Sequence, residues 1–316
     1  MLKLEERKTR NETEAVTMTW TVEGLIPAIH RPLMLSGAPG TGKSLIGYQL
    51  ASCISYGSPF LGLPTAKTNT LYVSYEDDDA ELNYRTQKTE RFINPDNFEG
   101  HCFTLCAEYD FEVFALTGGK VRQGKDYAEF VETVRANDIH FVVFDHLSKI
   151  FPGDENIRSQ VNDFGNMLNR FCREAACTLL ILAHTNKTEN QYSGSSANAG
   201  IFRIVYMLTY NKAKDERHLS IIKSNCTRNA EPITFTINED LFCDVVNAAP
   251  GVDLLALTER DRWYTRPELC AIMGVDTDIQ TKAFSGLLKG YEVEKKMKRI
   301  DGAVKQTYKI LNNKEK

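Results

Sequence analysis

The octapeptide Gly37-Ala38-Pro39-Gly40-Thr41-Gly42-Lys43-Ser44 constrains this chain more than any other stretch. Its glycines let the backbone curl so that successive N–H groups point at one spot. It stands between the apolar run Pro32-Leu33-Met34-Leu35, suited to a buried parallel strand, and Leu45-Ile46-Gly47-Tyr48-Gln49-Leu50-Ala51, which continues as a helix. Strand, glycine loop and helix in that order are the context in which such a loop cradles a polyphosphate, with the positive end of the helix dipole added at the same place. The pattern predicts an ATP site lined by Gly37, Ala38, Pro39, Gly40, Thr41, Gly42, Lys43, Ser44 and Leu45. Lys43 is expected to reach the β and γ phosphates and Ser44 to hold Mg2+.

Beyond the loop, apolar strands alternate with helical spacing. Thr70–Tyr75, His101–Leu105, His140–Asp145 and Thr178–Ala183 read as strands, and Asp126–Asn137 and Ser159–Ala176 as helices with apolar residues three and four apart. This predicts an α/β core with a parallel sheet covered on both faces. From Ile204 the strands Ile204–Leu208, Leu219–Lys223, Ile233–Ile237 and Phe242–Val246 follow closely without helices, which predicts an antiparallel extension. Ala248-Ala249-Pro250-Gly251 reads as a linker. Beyond it, Asp253–Arg260, Arg266–Gly274 and Asp278–Lys289 read as short helices, and Asp301-Gly302 as the turn of a hairpin. Three helices and a basic hairpin predict a small winged-helix domain. The expected organisation is a flexible arm over 1–17, an ATPase core over 18–247, a linker over 248–252 and the winged helix over 253–316.

Composition narrows the setting. With 42% hydrophobic and 25% charged residues in 316, the chain is an ordinary globular one, and no apolar run approaches the ~20 residues of a membrane span. The first residues carry charges of both signs and no apolar segment, so they lack the parts of a secretory signal. Eight cysteines include no C-x-x-C pair, which predicts buried free thiols and a cytoplasmic location. The net charge of −4 is uneven: residues 277–316 carry ten Lys or Arg against five acids, a +5 stretch in a chain otherwise at −9. That basic end gives DNA contact an edge over purely protein contact for the winged helix, through Lys282, Lys289, Lys296 and Lys298.

Ligands of parallel sheets gather at the carboxyl ends of the strands. Asp145 ends one strand, where a carboxylate can hold the outer shell of a magnesium ion beside Ser44. Glu76 follows another, where it can polarise an attacking water, although the run Glu76-Asp77-Asp78-Asp79 also reads as solvated surface or a helix start. His184 ends a third and is placed to sense a terminal phosphate.

Trp20–Pro27 ahead of the loop, Tyr75-Glu76-Asp77, Val143-Phe144-Asp145, Leu182–Lys187 and Gly194–Ala197 running to Phe202-Arg203 together resemble RecA-fold ATPases of the plasmid RepA hexameric helicase type, over about residues 18–246. The resemblance implies Glu76 as catalytic base, Asp145 as the Walker B acid and His184 as sensor. Lys223-Ser224-Asn225 resembles the Lys-x-Arg or Lys-x-Lys element projected into a neighbour's nucleotide site, which makes Lys223 a candidate finger in trans; Asn225 stands where a second cation is common, leaving Arg228 or Arg203 for that duty. It also implies that Ile150–Arg158 and Lys187–Gly200 line a central channel, with Lys187 the cation of the second segment and Tyr192 able to stack on a base.

The expectation is therefore a ring, hexameric in this family type, that hydrolyses ATP while acting on single-stranded DNA, with the winged helix touching DNA or a replication partner. Two rivals remain open: a DNA-binding ATPase that remodels or regulates without unwinding, and a scaffold whose nucleotide only controls assembly.

Overall fold

The computed structural model describes residues 18–94, 99–107, 110–185, 200–225, 231–246, 262–273, 291–300 and 303–313. The expected arm over 1–17, the linker over 248–252 and the helices over 253–260 and 278–289 lie outside these.

Strands β1 (Trp20–Val22) and β2 (Ile26–Pro27) form a small antiparallel pair ahead of β3 (Pro32–Gly37), from which the glycine loop leads into α1 (Lys43–Tyr56). Then come β4 (Asn69–Ser74), α2 (Asp79–Ile93), β5 (Cys102–Cys106), the hairpin β6 (Phe114–Thr117) and β7 (Lys120–Gln123), and α3 (Tyr127–Ala136). β8 (Ile139–Asp145), the short α4 (Leu147–Ile150), α5 (Arg158–Glu174) and β9 (Thr178–His184) follow. β10 (Ile204–Asn211), β11 (Glu216–Ser224), β12 (Ile233–Ile237) and β13 (Cys243–Val245) then come without helices between them.

These strands make one nine-stranded sheet in the order β13-β12-β11-β10-β3-β9-β8-β4-β5. Pairing is parallel from β10 to β5 and antiparallel from β10 through β13. The architecture is the expected α/β one, a mostly parallel sheet with an antiparallel extension. The central position of β3 puts the glycine loop mid-edge, with β9, β8 and β4 on one flank and β10 to β12 on the other.

Side chains alternate across the sheet with a period of two, so one strand feeds two cores. Phe141 and Val143 of β8 pack with α1 and Leu82 and Ile93 of α2, whereas Val142 and Phe144 pack with α3, α4 and α5. In the second core Phe130 stacks on Phe171 with centroids 5.5 Å apart. Both faces are covered, which is why β8 and β9 read as unbroken apolar runs rather than alternating ones.

Two elements were not expected from apolar spacing. α2 is mostly polar, with Leu82, Thr89 and Ile93 its buried residues, so it carries no long apolar stripe. Its signature is a capping box: the Asp78 carboxylate accepts from the Glu81 N–H, and the Glu81 carboxylate accepts from the Asp78 N–H at 3.1 Å. The β6–β7 hairpin turns through Gly118-Gly119, both at positive φ.

The C-terminal unit holds β14 (Tyr264–Thr265), a helix over Arg266–Met273, β15 (Tyr291–Ile300) and β16 (Ala303–Asn313), its three strands ordered β14-β16-β15. β14 was not anticipated, being two residues long. Among the described residues no helix is long and apolar enough to cross a membrane.

Candidate nucleotide site

The loop after β3 is shaped by close approach. A Cβ on Gly37 would lie 2.7 Å from the Leu208 carbonyl oxygen of β10, so no larger residue fits there. Gly42 caps α1 in the left-handed region, φ 96°, which an L side chain rarely adopts. The N-terminus of α1 has no side-chain cap and no acidic residue in its first turn. Its leading N–H groups are thus left for an external anion, and the residues fit a polyphosphate on that ground.

Lys43 opens α1, and its side chain folds back over the loop. Its ammonium donates to the carbonyls of Gly37 (2.9 Å) and Ala38 (3.0 Å) and to Nδ1 of His184 (3.2 Å). Burial lowers the Lys43 pKa, while Asp145 and Glu76 act in the opposite direction. An ammonium only donates, so Nδ1 of His184 accepts and the ring proton sits on Nε2. His184, at the tip of β9, is held below the usual histidine value of 6.5 by burial first, then by Lys43 and His146.

Asp145 ends β8 and is buried. Its carboxylate accepts from the Tyr72 hydroxyl at 2.6 Å, and that hydroxyl lies 3.2 Å from the main-chain oxygen of Ser44. Tyr72 thereby links the acid at the end of β8 to the first turn of α1. Its own ionisation is pushed far up by burial and by Asp145. Asp145 and Ser44 are the residues that would hold a magnesium ion. Among the described residues no group of three or more His, Cys, Asp or Glu side chains assembles as a metal cluster.

The acidic run after β4 is sorted residue by residue. Asp77 takes both oxygens to Arg85 of α2, at 2.5 and 2.6 Å, and Asp78 caps that helix. Asp79 is the first residue of α2 and accepts from the Cys106 thiol at 3.1 Å. Glu76 is turned the other way: its Oε1 lies 2.9 Å from Nε2 of His146. A carboxylate only accepts, so Nε2 carries a proton, and Nδ1 lies 3.1 Å from the Ser148 hydroxyl. The His146 and His184 rings meet edge to face, 4.8 Å between centroids. Lys43, His184, His146 and Glu76 therefore form a continuous polar chain along one sheet edge. Tyr72 and His146 were not anticipated from the sequence; the first looks like any strand residue, and the second follows a strand-end acid with nothing else to mark it.

Lys223 and Arg203 lie at the other edge. Val205 pairs with Met34 and Lys223 with Val205, so Lys223 stands level with the third residue of β3, while the Arg203 N–H donates to the Pro32 carbonyl at 3.0 Å, at the N-terminal end of that strand. At ~3.3 Å per residue, the start of the loop is roughly 17 Å along β3 from Arg203, and about 10 Å along and two strands across from Lys223. Lys223 donates to the Phe202 carbonyl at 2.7 Å, and burial first, then Arg203, lowers its pKa. A cleft of about 560 Å³ opens there, lined by Arg31, Arg203, Lys223 and the asparagines 162, 166 and 169 of α5.

Of the lysines expected to touch DNA, Lys296 is exposed on β15, and the Lys298 ammonium sits 4.7 Å from the centre of the Trp263 ring. Lys187, Lys282 and Lys289, with Arg228 and Tyr192, lie outside the described residues.

A family model described as an AAA domain matches residues 4–190, more than half of the chain. No curated protein matches it.

Two outcomes follow from the geometry. Tyr72→Phe removes the donor from a buried carboxylate and should cost about 1–3 kcal/mol in urea unfolding without changing the slope. The depressed His184 pKa means the fold favours the neutral ring. Its contribution is complete above pH 6.5 and drains as pH falls through that value toward the folded-state one. His184→Gln, which keeps an acceptor and cannot titrate, should flatten the fall in thermal midpoint on that acid limb.

Proposed function

The chain belongs to the AAA domain family, and from that premise we propose that it is a ring-forming motor, hexameric in its working state, which couples ATP hydrolysis to movement along single-stranded DNA as a helicase or translocase. A nucleotide-hydrolysing P-loop domain is the common ground of that family. The finer reading is carried by one observation, the polar chain from Lys43 through His184 and His146 to Glu76 at the mouth of the loop.

The roles follow from chemistry. The N–H groups from Gly40 to Leu45 bind phosphate oxygens, and Lys43 exchanges its carbonyl and imidazole partners for the β and γ phosphates. Glu76 takes the proton of the attacking water, with His146 fixing which carboxylate oxygen faces outward. His184, released from Lys43, meets the terminal phosphate through Nε2–H. Magnesium, when bound by Ser44 with Asp145 behind it, supplies charge neutralisation to the phosphate oxygens.

Assembly enters through Lys223 and Arg203. Neither side chain spans the distance back to its own loop, roughly 17 Å along β3 for Arg203 and about 10 Å along and two strands across for Lys223, so a finger role for either requires a second copy. That requirement supports a ring in which each nucleotide lies between subunits. DNA contact is assigned to the segment 150–158, to the stretch 187–200 and to the basic hairpin β15–β16. We read the C-terminal unit as a winged helix, serving DNA or a replication-initiation partner.

Glu76→Gln should lower phosphate release by about 10²–10³-fold while nucleotide binding persists. His146→Phe should lower kcat about tenfold at nearly constant KM, because it acts through Glu76. Equal, slow release from Glu76→Gln and parent in the presence of DNA removes hydrolysis from the reading. A strand-displacement assay on forked duplex tests the motor; DNA-stimulated hydrolysis that displaces nothing supports instead an ATPase that remodels without unwinding. Mass measurement with ATP and an oligonucleotide checks the ring, and a strict monomer overturns the trans role of Lys223 and Arg203.

A further inference from the structure

Arg217 stands on β11 opposite Tyr210 of β10, both near the glycine-loop edge and on the sheet face that α1 covers. Its guanidinium carbon lies 4.3 Å from the centre of the Tyr210 ring, a flat cation on an aromatic face. Asp215 holds both partners, accepting from the Tyr210 hydroxyl at 2.8 Å and from an Arg217 terminal nitrogen at 3.2 Å. The guanidinium is thus fixed in orientation.

Two further facts single it out. The Nε–H of Arg217 is buried and has no hydrogen-bond partner among the described residues. It also sits 3.8 Å from where a Cβ on Gly42 would be, and Ile237 of β12 comes within 3.1 Å of the same point. A guanidinium does not escape by losing its proton, and a buried donor without an acceptor is costly. A cation kept in that state beside the phosphate loop is a group prepared for a ligand.

The sheet order says which part of the ligand it meets. The terminal-phosphate groups Glu76, Asp145 and His184 come from β4, β8 and β9, all on one flank of β3, while β10, β11 and β12 lie on the other. A nucleotide whose terminal phosphate faces the first flank must run its nucleoside toward the second. We propose that Arg217, clamped on Tyr210 and backed by Ile237, receives the nucleoside half of the bound nucleotide and sets the preference for a nucleotide over bare polyphosphate. This rests on the nucleotide site proposed above.

The test is calorimetric titration of the full chain with magnesium-ATP and with magnesium-tripolyphosphate, which carries the same phosphates without a nucleoside. Arg217→Met retains the stem and removes the planar cation. It should weaken ATP about tenfold, the order expected of a desolvated guanidinium stacked on a ring, and leave tripolyphosphate within about twofold. Arg217→Lys, which keeps the charge without the plane, should match the Met variant for ATP. Equal loss for both ligands makes Arg217 a phosphate cation and overturns the proposal, as does full ATP affinity in the Met or Lys variant. A parent chain that binds neither ligand sinks the nucleotide site itself, a different failure. Unchanged far-ultraviolet circular dichroism and thermal midpoints in both variants keep folding out of the comparison.

Discussion

The folded-back Lys43 side chain is the interaction on which the candidate site depends. Its ammonium closes the loop onto the carbonyls of Gly37 and Ala38 and ties the tip of β9 to the start of α1 through His184. A buried cation is tolerable only when its donors are taken, and here all three have acceptors. The arrangement keeps the loop open as a cradle while the positive charge stays at its centre. Phosphate oxygens can replace those acceptors one for one, so binding exchanges partners without exposing an unpaired donor.

A second constraint is how the structure separates acids that stand side by side in the chain. Asp77, Asp78 and Asp79 are consumed locally by Arg85, by the α2 cap and by Cys106. Glu76 escapes because the turn after β4 points it across the sheet edge toward His146 of the neighbouring strand. The same parallel pairing brings Tyr72 of β4 under Asp145 of β8. β4 therefore supplies the buried hydroxyl, and the turn that follows it supplies the outward carboxylate.

The sheet also divides its cations. Lys43 and Arg217 sit at the loop edge, and Arg31, Arg203 and Lys223 line a cleft toward the opposite edge. A rigid sheet holds these two sets of charge apart. Rigidity comes from the two apolar cores, where strands such as β8 and β9 are buried on both faces.

Local pattern was enough for much of the fold. The glycine loop, the apolar strands, the helices α1, α3 and α5, the antiparallel run from Ile204 and the basic hairpin all follow from spacing that extends over a few residues. The acidic run marked a candidate start for α2, but its length was not legible because three buried side chains in a polar helix leave no apolar period, and β14 was not because two residues carry none. The sequence by itself determined that a phosphate cradle stands at Gly37–Ser44 and that acids and a histidine end the strands beside it. Only the tertiary structure decided the strand order, and with it that Tyr72 meets Asp145, that His146 meets Glu76, and that Arg217 reaches Gly42. Those contacts join residues far apart in the chain, and their geometry is set by which strand lies beside which, a property that no short run of residues encodes.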